Sequence, residues 1–533
     1  MSTLPTPLPE TLGALLAQPS PSASPCLIDR DQPIDRQTLS TQAQHLARAL
    51  IDLGVHRGDR VAIWLPNVPA WLAMFFACAR IGAIAVAVNT RFRSNELVDI
   101  LGRSGCKVLV YWPGFDRVDF NHTLNACDAN ALPALSCCIA YTEGESVPKY
   151  VLGKPVHAYP TLLQSAPLFE DQGNADCPCV IFTTSGTTKA PKFVLHTQRS
   201  MLTHARDVAQ GFGLHAHSLL YLAPPLCGVF GLCSVLAALS AHRPCIMHPV
   251  WDATQADTAI TRYQVTHFNA TDDAIAQLLA RSTRTPIYPT VAFVGYAAFN
   301  PAQADIVTRA QARGLTVLGL YGISEIQALF SRQREDAPLA QRMLGGGYPV
   351  SSRVRVRTRD PETGQVLGHE QSGELEFFAP DSRMLEYFGD DASTAAATTE
   401  DGWYRSGDLG YTQADGCFVY LTRMGDSLRL GGFLVSPAEI EAMIQTLPEI
   451  DACQVVGVTI NGALRPVAFV IPKHDAVIHA TTIIDHVAQH LARYKVPVRV
   501  LTIDRFPVTE GTNATKIQKH KLRALAQEQL NAV

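Results

Sequence analysis

Residues 181–192 read Ile-Phe-Thr-Thr-Ser-Gly-Thr-Thr-Lys-Ala-Pro-Lys, an apolar strand-like run that ends at Phe182 and continues into a polar loop. The loop supplies five hydroxyl side chains, one glycine and two lysines. Hydroxyls and backbone N–H groups at a glycine turn can donate to phosphate oxygens, and Lys192 can neutralise their charge. The order of residues differs from the Walker pattern GxxxxGK[ST]. We therefore predict a polyphosphate ligand, with an ordinary polar surface loop as the alternative.

Helix and strand patterns alternate on both sides of this loop. Leu39–Leu53 is amphipathic, Val61–Leu65 is strand-like and Pro69–Ile81 is apolar at nearly every position. A second alternating series runs from Leu220 to Tyr321 and includes a predicted helix over Pro301–Arg313. Such alternation predicts parallel sheets covered by helices. From about Gly345 the segments become short and are broken by Gly, Pro and Asp, which predicts an antiparallel, barrel-like β region.

The remaining 110 residues or so after Arg423 are enough for a small domain of their own. We therefore predict an α/β protein with a large N-terminal domain of two helix-covered sheets plus a β-barrel-like subdomain. A small mobile α+β C-terminal domain completes this prediction. The expected domains are residues 1–424 and 425–533.

Composition excludes several classes of function. The 533 residues carry 44 Lys and Arg against 48 Asp and Glu, a net charge of −4. No polycationic surface for binding nucleic acid is expected. The first 24 residues have neither a basic leader nor a long apolar core, and Trp71–Ala79 falls well short of the roughly 20 residues that cross a bilayer. These features, with 13 scattered cysteines, predict a cytoplasmic protein with no membrane span.

Three further motifs follow the loop. Tyr321-Gly322-Ile323-Ser324-Glu325 ends in an acidic residue. Tyr404-Arg405-Ser406-Gly407-Asp408 likewise ends in an acidic residue. The segment Phe506–Gln518 places Lys516 in a basic C-terminal stretch. Each motif alone also fits a turn or a solvated tail.

In this order the motifs resemble those of the adenylate-forming superfamily, which contains acyl- and aryl-CoA ligases, adenylation domains of peptide synthetases and luciferases. The family loop [ST]SGTTGxPKG is matched except that Lys189 and Phe193 replace glycines. Gly425 occupies the expected hinge, with Asp426 as the alternative register. Pro225–Leu232 resembles PLFHxxGL, with Cys227 and Gly228 replacing the bulkier Phe and His, which predicts an acyl pocket of altered shape.

The resemblance implies specific roles. Tyr321 would stack against adenine, Ser324 would contact phosphate, and Asp408 with Arg423 would hold the ribose. Catalysis would depend on Lys516, Glu325 and Arg423, with Glu325 as the metal ligand. The implied nucleotide-binding residues are Thr184, Ser185, Gly186, Thr187, Thr188, Lys192, Tyr321, Gly322, Ser324, Asp408, Arg423 and Lys516.

The implied activity is that of an AMP-forming carboxylic acid:CoA ligase that uses ATP, Mg²⁺ and CoA and proceeds through an acyl-adenylate. Loading of a separate pantetheinylated carrier protein is the alternative within the family. A serine hydrolase using Ser324 and a non-catalytic nucleotide-binding relative are the alternatives outside it. The sequence leaves open which acid is activated and whether the protein is a monomer or a homodimer.

Overall fold

The structure is a computed structural model. It describes residues 9–19, 24–184, 191–298, 303, 305–361, 363–424, 428–430, 433–435, 437–460, 462–473, 476, 478–509 and 516–531. Within these residues no helix is both long and apolar enough to cross a membrane.

The strands are, in chain order, β1 (Leu27–Asp29), β2 (Gln32–Ile34), β3 (Arg60–Trp64), β4 (Ile84–Ala87), β5 (Cys106–Tyr111), β6 (Cys137–Ala140), β7 (Tyr150–Val151), β8 (Lys154–Ala158), β9 (Pro178–Thr184), β10 (Lys192–Thr197), β11 (Leu220–Leu222), β12 (Cys245–Met247), β13 (His267–Thr271), β14 (Phe293–Ala297), β15 (Val317–Ile323), β16 (Gln327–Arg332), β17 (Gly345–Pro349), β18 (Arg355–Arg359), β19 (Gly373–Phe378), β20 (Glu386–Tyr387), β21 (Tyr404–Thr412), β22 (Phe418–Arg423), β23 (Leu428–Leu430), β24 (Phe433–Val435), β25 (Ile450–Ile460), β26 (Ala463–Pro472), β27 (Arg499–Thr502), β28 (Val508–Thr509) and β29 (Lys516–Ile517).

The helices are α1 (Leu12–Ala17), α2 (Arg36–Asp52), α3 (Pro69–Ile81), α4 (Ser94–Ser104), α5 (Phe120–Asn125), α6 (Tyr159–Leu162), α7 (Gln198–Gly211), α8 (Val229–Ser240), α9 (Ala253–Arg262), α10 (Asp272–Arg281), α11 (Ile306–Ala312), α12 (Leu339–Arg342), α13 (Asp391–Ala396), α14 (Pro437–Ile444), α15 (Ala480–His490) and α16 (Lys519–Asn531).

One sheet of the N-terminal domain has nine strands in the order β20-β10-β9-β4-β3-β5-β6-β8-β7. Its centre, from β9 through β8, is parallel. Helix α3 follows β3 and is buried at every position, so its apolar sequence is explained by contact with protein on all sides. Pro69 starts the helix, and Gly82 ends it at a φ of 71°.

The second sheet has thirteen strands in the order β18-β19-β21-β22-β17-β16-β15-β14-β13-β11-β12-β1-β2. Strands β1 and β11 to β15 pair in parallel, whereas the run from β15 to β18 pairs antiparallel. The parallel part corresponds to the second alternating series, and the antiparallel part to the barrel-like region. The predicted fold class is confirmed.

The C-terminal domain has its own apolar core. Strands β25, β26 and β27 form a sheet covered by α14, α15 and α16. Its two described core clusters contain only residues after the proposed boundary, and the clusters of the N-terminal domain contain only residues before it. The boundary at 424/425 stays a prediction, because residues 425–427 lie outside the described part of the chain.

Candidate active site

A tight turn after β15 carries the carboxylate predicted to bind a metal. Residues 324–326 form a short 3-10 helix, and Gln327 begins β16 at a φ of 70°. The two strands approach so closely that a Cβ on Gly322 would lie 2.6 Å from the Cα of Ala328. Glycine is therefore required at this position of the motif. Glu325 is buried on this turn, with 5% of its surface exposed.

Tyr387 connects Glu325 to the predicted phosphate loop. Its hydroxyl donates to Glu325 Oε1 at 2.8 Å and lies 3.3 Å from the hydroxyl of Tyr404. The Nζ of Lys192 lies 4.4 Å from the centre of the Tyr387 ring, a cation–π arrangement. Lys192 of β10 pairs in register with Thr184 of β9. Tyr387 thus contacts both the Glu325 carboxylate and a cation at one end of the β9–β10 hairpin.

Residues 185–190, which join these two strands, lie outside the described residues. Their predicted nucleotide-binding members are Ser185, Gly186, Thr187 and Thr188. The substitution at Lys189 lies there as well. Phe193, the other replaced glycine, is described: its buried ring lies 4.3 Å from the guanidinium carbon of Arg103 on α4. Phe193 therefore packs in the core beside α4.

Asp408 lies close to Tyr321. The Tyr321 hydroxyl donates to Asp408 Oδ2 at 2.7 Å, and only 1% of Asp408 is exposed. The Tyr321 ring packs against Phe377 and Phe418, each at 5.3 Å between centroids. This contact joins two motifs that are 87 residues apart in the chain.

The structure places the backbones of the two predicted cationic residues. Arg423 of β22 pairs with Asp408 of β21, and Lys516 of β29 pairs with Thr509 of β28. Ser324 is half-buried beside Glu325. The roles of Arg423, Ser324 and Lys516, like those of the other predicted site residues, stay predictions.

Strand β10 and helix α7 hold the Glu325 turn in place through buried polar groups that sequence reasoning missed. His196 Nε2 donates to the Ser324 carbonyl and His204 Nε2 to the Ala328 carbonyl, both at 2.7 Å. The Gln327 side-chain amide donates to the carbonyls of Ser200 and Ser382. Burial lowers the pKa of each histidine to about 4, so both rings are neutral near pH 7. No sequence motif marks these residues or Tyr387.

A carboxylate of this kind fits Mg²⁺. The ion takes oxygen ligands and is commonly held by one or two carboxylates together with substrate phosphates. Glu325 supplies one buried carboxylate, and both Glu325 and Lys192 contact Tyr387. Within the described residues no cluster of three or more His, Cys, Asp or Glu forms a complete metal cage. The donor set therefore suits a metal that arrives with a phosphorylated substrate.

The loop before α8 corresponds to the predicted acyl-pocket motif. Asn67 orients it: its side chain accepts from the Leu226 N–H at 2.7 Å and donates to the Pro224 carbonyl at 3.2 Å. Gly228 caps α8, and a Cβ there would meet its nearest atom, the Pro225 oxygen, at 3.5 Å. A Cβ would therefore fit at Gly228, so close packing does not require glycine at this position.

The family model "AMP-binding enzyme" matches residues 17–388. The chain belongs to the AMP-binding enzyme family. The model "AMP-binding enzyme C-terminal domain" matches residues 439–511, within the small second domain of this family member. The predicted family is thereby confirmed.

Known members of the family resemble the chain over nearly its whole length. It is 25% identical to 2-succinylbenzoate–CoA ligase of Bacillus velezensis, covering 97% of this chain and 98% of the relative. It is 28% identical to feruloyl-CoA synthase of an Amycolatopsis species, covering 91% and 92%. These distant relatives are acyl-CoA ligases.

Solved structures of o-succinylbenzoate CoA synthetase (MenE) from Bacillus subtilis share the fold. A double mutant bound with the product analogue OSB-NCoA gives a TM-score of 0.81 at 22% identity, covering 97% of this chain and 98% of that one. The complex of the same enzyme with AMP gives a TM-score of 0.66 at 22% identity, covering 96% and 98%.

Proposed function

We propose that this AMP-binding family member is an ATP-dependent carboxylic acid:CoA ligase. The observation that carries the proposal is that Tyr387 contacts both Lys192 and Glu325 while Tyr321 donates to Asp408, because these contacts join residues of three motifs of the resemblance. The similarity to acyl-CoA ligases supports the same activity. The acid itself is left open by relatives at 25–28% identity.

In the first half-reaction, a carboxylate oxygen of the acid attacks the α-phosphorus of ATP and the bond to pyrophosphate breaks. Lys192 and the 184–192 loop would bind the phosphates, and Asp408 would accept from the ribose hydroxyls. Mg²⁺ held by Glu325 would neutralise phosphate charge. Lys516 would approach both the carboxylate and the α-phosphate, so that one fixed ammonium stabilises the developing charge.

In the second half-reaction, the CoA thiol attacks the acyl carbon and AMP leaves as the thioester forms. The C-terminal domain would turn about Gly425 between the two steps, withdrawing Lys516. This turn is part of the proposal, since residue 425 lies outside the described residues.

The decisive experiment separates the two half-reactions in Lys516→Ala. We expect carboxylate-dependent exchange of pyrophosphate into ATP to fall by about 100-fold or more, because the ammonium acts on the α-phosphate. Transfer from a presynthesised acyl-adenylate to CoA should persist. Lys521→Ala is the matched control, since Lys521 is exposed nearby on α16. Equal loss of both half-reactions in Lys516→Ala contradicts the role of this lysine.

The acceptor is tested separately. Free CoA and a phosphopantetheinylated carrier protein are supplied in turn with a panel of short, medium, long-chain and aromatic acids. If the enzyme prefers the carrier protein over free CoA, the proposed function changes from a CoA ligase to an enzyme that loads a carrier protein. Absence of pyrophosphate exchange with every acid would favour a non-catalytic relative.

The geometry does not support the serine hydrolase. His196, which contacts Ser324, donates its Nε2–H to the Ser324 backbone carbonyl, and its Nδ1 lies 3.3 Å from the Ser200 hydroxyl. Neither ring nitrogen is thus directed to the Ser324 hydroxyl as a general base. Insensitivity to an active-site serine reagent is the expected result.

A further inference from the structure

A buried ion cluster joins the two domains. Lys495 Nζ lies 2.5 Å from Glu96 Oε1 and 2.6 Å from Glu439 Oε1. Glu96 belongs to α4 of the N-terminal domain, whereas Lys495 and Glu439 belong to the C-terminal domain. The side chains of Glu96 and Lys495 are only 5% and 6% exposed. We call Glu96, Lys495 and Glu439 the inter-domain cluster.

The charges of the inter-domain cluster depend on one another. Burial by itself lowers the pKa of Lys495 and favours its neutral form. The negative charges of Glu96 and Glu439 have a larger opposite effect, so the pKa of this ammonium is raised. A buried charge that loses its partner is strongly destabilising. Glu439 would accompany Lys495 in any rigid movement of the C-terminal domain, because both lie in that domain. Within the inter-domain cluster, the contact between Lys495 and Glu96 is therefore the one that depends on how the domains are oriented.

Helix α4 holds Glu96 rigidly and reaches the predicted phosphate loop. Glu96 Oε2 accepts from the Arg93 N–H at 3.0 Å, which fixes the side chain at the start of the helix. At the other end of α4, Arg103 donates to the Pro191 carbonyl at 2.7 Å. The same helix thus contacts the C-terminal domain and the end of the loop expected to bind phosphate.

We propose that Glu96 is a positioning residue that stabilises the domain orientation of this structure, and that this orientation serves thioester formation. The inference rests on the proposed function, in which the domain turns between the two half-reactions. Bringing Lys516 to the α-phosphate in a different orientation would separate Lys495 from Glu96 while leaving Glu439 paired. The higher TM-score with the MenE complex of a CoA product analogue than with its AMP complex supports this assignment.

The test is Glu96→Gln, which removes the charge but keeps an oxygen that can accept from the Arg93 N–H. We expect CoA transfer from presynthesised acyl-adenylate to slow about fivefold or more, the lower end of typical coupling between sites. Pyrophosphate exchange should stay the same or increase. Glu441→Gln is the matched control, because Glu441 accepts from the Val455 N–H and pairs with Lys519 within the C-terminal domain. An equal decrease in both half-reactions, or no change, overturns the proposal.

A second measurement does not require catalysis. Small-angle X-ray scattering of the ligand-free chain should match this structure for the wild type and Glu441→Gln, and should show a broader distribution of distances for Glu96→Gln. Identical scattering of all three proteins overturns the role of Glu96. If the wild-type scattering matches this structure but the protein catalyses neither half-reaction, the proposed ligase activity is refuted. The scattering of Glu96→Gln then tests the role of Glu96 separately.

Discussion

Tyr387 illustrates how a single residue can organise the site without belonging to any motif. Its hydroxyl orients the Glu325 carboxylate, and its ring supports the Lys192 ammonium. We expect Tyr387→Phe to lower pyrophosphate exchange about tenfold, because a hydrogen bond to a charged group contributes roughly 1.5–3 kcal/mol. The ring contact with Lys192 should persist. Tyr348→Phe is the control, since the Tyr348 hydroxyl donates to Asp415 at the surface. Equal activity of both variants would contradict this role for Tyr387.

At the scale of elements, the turn between β15 and β16 depends on α7 and β10, and this dependence gives stability a pH profile. In the unfolded chain histidine titrates near 6.5, whereas burial holds the pKa of His196 and His204 at about 4. Between these values the unfolded state binds protons that the folded state does not. The free energy of unfolding should therefore keep its full value above pH 6.5 and decrease as the pH falls toward 4, by roughly 3 kcal/mol for each ring.

The measurement is the melting temperature of the chain from pH 7.5 to 5. We expect it to fall over this interval, and to fall less steeply in His204→Gln, whose amide can still donate to the Ala328 carbonyl. A slope in His204→Gln equal to that of the wild type would show that His204 does not remain neutral in the folded chain.

The helices differ in how closely their observed bounds follow the pattern of the sequence. The apolar range Pro69–Ile81 has the same bounds as α3, because proline, an apolar run and a following glycine all act locally. The helix predicted over Pro301–Arg313 is described only as Ile306–Ala312. For the candidate site, the sequence motifs indicated Lys192, Tyr321, Glu325 and Asp408, and their roles stay predictions. The sequence did not indicate Tyr387, His196 or Gln327, because their roles arise from contacts between segments that are distant in the chain.

For the whole molecule, the separation of apolar cores predicts two units that fold independently. The described core clusters after residue 427 contain only residues of the C-terminal domain. The C-terminal domain connects to α4 through the inter-domain cluster, which is polar, and polar interfaces add little to the stability of either partner. Residues 425–533 expressed alone should therefore fold.

Cooperative thermal unfolding, together with dispersed amide resonances, would demonstrate the folded state of this fragment. Glu439→Gln and Lys495→Met should change its melting temperature less than Ile440→Ala, because the fragment exposes the cluster to water but keeps Ile440 in its core. Large-to-small substitution of a buried isoleucine typically costs about 2–5 kcal/mol. A fragment that stays unfolded would show that the C-terminal domain requires the surface of α4 to fold, and would make the boundary at 424/425 a functional division only.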